Sequence, residues 1–309
     1  MRIRKARFAG SWYTGDPVSL RAEIDEFLEL AQDNVYNPAA AGKTSEHRVN
    51  ERIAKGVRGG MLPHAGIYFS GRGIAHFFNA LRNETENIVI VSPSHYVPLN
   101  SDTLYAASFD YYDTPIGRIQ GLDMTAQAVS GVQVHEQAVA QEHAVEMFLP
   151  FIARAKEVSK RPLTVGVLLL SEVSSPDALD SVASAAMELL GEDEIRRGNT
   201  VLIASSDYTH YGPRFGHTPF GTRELLEIEH KVEQQDREAA EHFASYQFAR
   251  LFELKKMRDM TICGFAPGLA VAKIMETVGA EGAVTDYYTS NQFVGPDVGF
   301  VAYCSILWR

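Results

Sequence analysis

Three apolar runs are built alike: Val57-Arg-Gly-Gly-Met-Leu-Pro-His64, Asn87-Ile-Val-Ile-Val-Ser-Pro-Ser-His95 and Asn199-Thr-Val-Leu-Ile-Ala-Ser-Ser-Asp-Tyr-Thr-His210. Each is a strand-like stretch, then a polar turn, then a histidine. Residues 57–62, 87–92, 163–170 and 199–205 are nearly all apolar, as strands covered on both faces are. Such strands alternating with helical patterns predict an α/β fold, three-layer α/β/α with a mostly parallel or mixed central sheet. Ligands of open α/β sheets bind beyond the carboxyl ends of the strands, so the three histidine turns converge on one cleft if their strands are parallel neighbours.

Outward from these strands, Asp16-Pro17 reads as a helix cap followed by proline at the first helical position, with Leu20, Ile24, Phe27, Leu28 and Ala31 on one face. Further helices are expected near 142–157, 176–190, 222–241, 245–256 and 266–278, and further strands at 284–288 and 298–306. About residues 33–56 the chain turns polar, which reads as a surface loop within a single domain spanning 1–309. No internal repeat or low-complexity segment is present.

A hydrophobic content of 45% over 309 residues supports a substantial core, and a net charge of -10 argues against nucleic acid or an anionic membrane surface as partner. No run approaches the ~18 apolar residues of a membrane span. The basic start, Met1 to Arg7, is not followed by the apolar stretch of a signal peptide. With only two cysteines, Cys263 and Cys304, the chain fits a reducing cytoplasm, and its expected partner is a small-molecule or peptide ligand in the cleft.

Imidazole is the commonest transition-metal ligand and a general base near neutral pH, so converging histidines suggest one of those uses. A solitary His64 or His95 would otherwise be a hydrogen-bonding turn residue. Cys263 lies in an irregular loop, Ile262-Cys-Gly264, ahead of a helix. A thiolate there suits iron, copper or zinc beside two imidazoles, although a lone cysteine is more often a small buried hydrophobe. Cys304, within the last apolar strand, takes that second reading. Asp207, three residues before His210, either orients its imidazole for acid/base work or caps the turn. In Glu142-His-Ala-Val-Glu146, His143 and Glu146 share a helical face. These three, Glu142, His143 and Glu146, are possible pocket residues, or simply an acidic first turn. His47, His76, His135, His217, His230 and His242 show no partner pattern and receive no role.

Taken together, Ala9-Gly-Ser-Trp-Tyr13, Pro63-His-Ala-Gly66 with Ser70-Gly71, Ser92-Pro-Ser-His-Tyr96, Glu142-His-Ala-Val-Glu146 with Leu149-Pro-Phe151, Ser205-Ser-Asp-Tyr-Thr-His-Tyr-Gly212 and Ile262-Cys-Gly264 resemble the Memo family, in that family's order and across roughly residues 7–305. The Memo fold is similar to class III extradiol dioxygenases, non-haem iron enzymes that open catechol rings. The resemblance implies metal ligands at His64, His95 and Cys263, with Asp207 and His210 beside them, and Fe(II) as the metal ahead of copper and zinc. Two imidazoles and a thiolate already make a three-ligand set with an open position, which leaves His210 off the metal as an acid/base group. Three functions follow. One is a metal-dependent redox enzyme in which His210, oriented by Asp207, moves protons. The second is a non-catalytic binding protein whose cleft recognises a peptide or small anion, as Memo-type relatives are associated with phosphotyrosine peptides and signalling. The third is a cysteine hydrolase with Cys263 as nucleophile, His210 as base and Asp207 as orienter.

Overall fold

The computed structural model describes residues 1–32, 56–258 and 260–309. The polar loop expected at about 33–56 therefore lies, apart from Gly56, outside the described residues, as does His47. The strands are β1 (Ile3–Arg4), β2 (Gly59–Leu62), β3 (Asn87–Ser92), β4 (Leu104–Ala106), β5 (Tyr111–Thr114), β6 (Gly117–Gly121), β7 (Val132–Val134), β8 (Thr164–Leu169), β9 (Thr200–Ser205), β10 (His210–Tyr211), β11 (Gly282–Thr289) and β12 (Phe300–Trp308). They form one 12-stranded sheet whose main path runs β1-β5-β6-β8-β3-β9-β2-β12-β10. Its centre, β8-β3-β9-β2, is parallel throughout, with Val89 beside Leu202 and Gly60 beside Ile203. β12 returns antiparallel to β2, and β11 pairs antiparallel with β12, so the sheet is mixed.

Alternation along the central strands assigns each side chain to one of two cores. Val89 and Val91, Leu202 and Ala204, Met61 and Ile306 face one core. Ile88 and Ile90, Val201 and Ile203, Leu62 and Leu307 face the other. Both faces are dry, which is why these strands read as unbroken apolar runs. The second core is covered by α1 (Pro17–Gln32), α2 (Ile67–Asn79) and, further along, a helix over Leu149–Ser159. The first is covered by helices Pro176–Leu190, Leu225–Ala244 and Phe265–Thr277. The result is three layers.

Local chemistry explains most boundaries. Asp16 caps α1 by accepting from the Ser19 amide at 2.8 Å, and Ser175 caps Pro176–Leu190 by accepting from the Ala178 amide at 3.1 Å. The helix expected over 142–157 is two: a short turn, His143–Glu146, and then Leu149–Ser159, whose first turn holds Pro150. α2 buries ten of its 13 residues, Ser70, Gly71, Arg72 and Gly73 among them. Its Gly71 lies so close to α1 that a Cβ would stand 2.4 Å from the Phe27 ring. Among the described residues, no helix is long and apolar enough to cross a membrane.

One buried carboxylate ties the helix Leu225–Ala244 to both the β9–β10 turn and β11. Asp236 accepts from the Thr209 hydroxyl at 2.6 Å and the Tyr287 hydroxyl at 3.0 Å, and is 1% exposed. Burial pushes its carboxyl up to about 7, against the pull of those two hydroxyls. A folded-state value raised above the unfolded one makes a stabilising contribution that is complete below about pH 4 and is lost as pH rises towards 7. Asp236→Asn is therefore expected to flatten the stability–pH curve between about pH 4 and 7, a slope of up to ~1.4 kcal/mol per pH unit in the wild type. Urea unfolding across that range checks it; parallel curves for the two proteins would refute it.

Candidate metal centre

Strands β3, β9 and β2 lie side by side and end at one rim of the sheet, so the turns that follow them meet there. His64 follows β2 and His95 follows β3, and their ring centroids are 5.2 Å apart. A third imidazole, His143, enters from the short helix His143–Glu146, 5.5 Å from His64 and 4.5 Å from His95. One nitrogen from each ring lies within 4.8 Å of the other two, so the cluster could hold a metal ion. His143 figured in the sequence only as a possible pocket residue, because it comes from a helix rather than from a strand-end turn.

Hydrogen bonds fix which nitrogens are free. The Ser205 hydroxyl donates to the Ala144 carbonyl at 2.8 Å, so its oxygen accepts from Nδ1–H of His64 at 2.7 Å. That leaves Nε2 of His64 with its lone pair. Burial foremost, then the neighbouring imidazoles, hold His64 well below its ordinary value and keep the ring neutral. Glu142 grips His95 twice, accepting from its backbone amide at 2.6 Å and from Nδ1–H at 2.8 Å, so Nε2 of His95 is free as well. The same carboxylate caps the short helix at the Ala144 amide, 3.1 Å away. Burial works against the charge of Glu142, but the His143 and His95 rings beside it hold the carboxyl well below the usual range. This is the carboxylate–imidazole pairing that orients metal-bound histidines. His143 Nδ1, sealed from solvent, lies 3.1 Å from Glu142 Oε1, so the same carboxylate faces the third ring of the cluster.

Cys263 adjoins the cluster through His64, its Sγ 3.2 Å from Nε2. The sulfur accepts from the Asp207 amide at 3.3 Å and, as an S–H donor, lies 3.6 Å from the Asp207 carbonyl oxygen, while burial and then the charge of Asp207 push the thiol up. Gly264 makes the placement possible: a Cβ there would stand 2.1 Å from the Ser205 carbonyl oxygen. Cys304 is fully buried in β12. The set of two lone-pair imidazoles, a third imidazole within reach and an adjoining sulfur is a donor set that could hold a metal ion.

Asp207 clamps the His64 turn: its Oδ1 accepts from the amides of His64 at 2.8 Å and Ala65 at 3.3 Å. Burial raises its carboxyl, with the charge of His210 and these amides opposing. His210 lies next to it but is oriented otherwise than the sequence suggests. Its Nδ1–H donates to the carbonyls of Tyr208 at 3.0 Å and Thr261 at 3.3 Å, leaving Nε2 as the base. Asp207 acts on it through charge alone. The imidazole at Cys263 is His64, so Cys263 and His210 do not form a nucleophile–base pair.

Glu146, the other possible pocket residue, is an anchor. Its carboxylate accepts from Arg4 Nη1 at 2.8 Å, the Arg7 amide at 3.1 Å, the Phe8 amide at 2.8 Å and the Tyr13 hydroxyl at 2.9 Å. The segment so held lays Trp12 4.3 Å and Phe8 6.0 Å from the His143 ring, with Tyr96 at 5.5 Å. This aromatic wall went unread in the sequence, where Trp12 served only as part of a motif.

A family model described as Memo-like protein matches residues 4–307. MEMO1 family proteins of Thermococcus onnurineus and Pyrobaculum arsenaticum are 28% and 29% identical to the chain, over 99% and 100% of both chains respectively. One of Pyrococcus furiosus is 28% identical over 99% of both.

Arg4 and Glu146 are both fully buried, and removing one partner of such a pair leaves an unpaired charge in the core. Glu146→Gln is expected to cost about 3–5 kcal/mol of stability. Chemical denaturation followed by far-ultraviolet circular dichroism measures it, and a loss under ~1 kcal/mol would show that Arg4 finds another partner.

Proposed function

The chain belongs to the Memo-like family, and on that premise we propose a metal-dependent redox enzyme, similar to class III extradiol dioxygenases, whose ion is held by His64, His95 and Cys263. The observation that carries this reading is the pair of fixed tautomers: Ser205 and Glu142 each take an Nδ1 proton, so that His64 and His95 present Nε2 lone pairs. The amide of Asp207, donating to Cys263, supports the sulfur as third ligand, and His143 is the further donor within reach. A divalent ion there, Fe(II) ahead of copper and zinc, supplies Lewis acidity and one-electron chemistry at open coordination positions.

The chain's own groups do the rest. Glu142 holds His95 and the short helix in one geometry, while Asp207 holds the His64 turn. Trp12 and Phe8 pack on His143 and exclude water from that side. His210, whose Nδ1–H is held by the Tyr208 and Thr261 carbonyls so that Nε2 faces outward as the acceptor, takes up and returns a substrate proton. A binding protein without turnover is the second reading, favoured by exposed Tyr96 and Phe215, the latter 5.3 Å from His210.

Metal analysis of protein purified without oxygen or chelator tests the first reading. His64→Ala, His95→Ala and Cys263→Ala should each lose the ion, whereas His210→Ala should keep it and lower oxygen-dependent catechol turnover by about 10²–10⁴-fold. Full metal content in Cys263→Ala with loss in His143→Ala would make His143 the third ligand. Ligand binding without oxygen uptake would favour the second reading.

A further inference from the structure

We infer that Tyr303 is a ligand-binding residue of this centre, its hydroxyl donating a hydrogen bond to an anionic atom of the ligand at the open metal position. The inference rests on the metal-site reading above and adds a residue that no motif marked.

Tyr303 sits in β12 between the two turns that build the site. On one side, the neighbouring Ala302 amide donates to the Thr209 carbonyl at 2.8 Å and its carbonyl accepts from the Tyr208 amide at 2.9 Å, joining β12 to the Asp207–His210 turn. On the other, the Tyr303 ring stacks on Phe69 at 6.3 Å, and Phe69 is bonded through its amide to Gly66, two residues after His64. Tyr288 holds the ring from a third direction at 5.1 Å. The side chain is 2% exposed, so the phenol is rigidly placed.

Its hydroxyl is the anomaly. Tyr13, Tyr211, Tyr287 and Tyr288 each direct theirs to a protein acceptor: Glu146, the Gly221 carbonyl, Asp236 and the Phe69 carbonyl. Among the described residues the Tyr112 hydroxyl has no hydrogen-bond partner, but its oxygen is sealed from solvent. The Tyr303 hydroxyl makes no hydrogen bond among the described residues and is not sealed, so it opens onto accessible space. The hydroxyl itself feels the charges of Asp207 and Arg214. Burial, reinforced by Asp207, keeps the phenol protonated and therefore a donor. A buried donor with no protein acceptor among the described residues, not sealed from solvent and next to the turn that carries Asp207, favours a ligand that supplies one.

Azide and cobalt(II) are the probes. Wild-type protein and Tyr303→Phe are loaded with cobalt(II), whose visible absorbance reports both uptake and azide binding. The expected result is equal cobalt stoichiometry and equal melting temperature, with azide bound about tenfold more weakly by Tyr303→Phe, since a hydrogen bond to a charged acceptor is at stake. Phe69→Leu, which loosens the stacking and keeps the hydroxyl, should bind azide within about threefold of wild type. Unchanged azide affinity in Tyr303→Phe overturns the inference while leaving the metal reading intact. Misfolding or cobalt loss in that variant also overturns it, because Tyr303 would then be structural. Failure of the wild-type protein to take up cobalt overturns the metal reading and the inference with it.

Discussion

The hydroxyl of Ser205, the last residue of β9, joins the three parts of the molecule on which the centre depends. It accepts from Nδ1–H of His64 beyond β2 and donates to the Ala144 carbonyl of the short helix that carries His143. A hydroxyl has one proton, so its donation to Ala144 compels it to accept from His64. The tautomer of His64 thus follows from the position of a helix that begins nearly eighty residues later. The neighbouring His95 is governed in the same way from the same helix, by the carboxylate that caps it. Metal-ready nitrogens on the sheet rim are a consequence of how the short helix docks.

Three buried carboxylates around this helix have separate tasks, and environment assigns them. Glu142 meets two imidazoles and two amides and stays ionised against burial. Glu146 meets Arg4 and the amides of the N-terminal segment, so its charge is used in holding Trp12 and Phe8 over His143. Asp207 has two amides and no cation among its hydrogen-bond donors, and burial raises it. A charge without a hydrogen-bonded counter-ion at the edge of the cluster is stabilised by positive charge, which a metal ion or a protonated His210 would supply.

The sequence was legible where one strand or helix decides its own fate. Apolar runs at 87–92 and 199–205 could be satisfied only between two helical layers, and both emerged as central parallel strands. Asp16-Pro17 capped α1 by a contact within four residues. The shared strand-then-histidine pattern brought His64 and His95 together because β9 alone separates β2 from β3. Legibility failed for α2, whose Ser70-Gly-Arg-Gly73 stretch places two poor helix formers and a buried arginine inside the helix, and for the helix over 142–157, divided ahead of Pro150.

Sequence by itself determined the layered α/β architecture, the family and the strand-end histidines, because these follow from side-chain periodicity and from turns a few residues long. Tertiary structure alone decided that His143 joins the cluster, that Glu146 anchors rather than lines the pocket, that carbonyls of Tyr208 and Thr261 orient His210, and that Tyr303 leaves its hydroxyl open. Each depends on a hydrogen bond or ring contact whose geometry is set by packing, often across more than a hundred residues, and such distances have no signature in the order of residues along a chain.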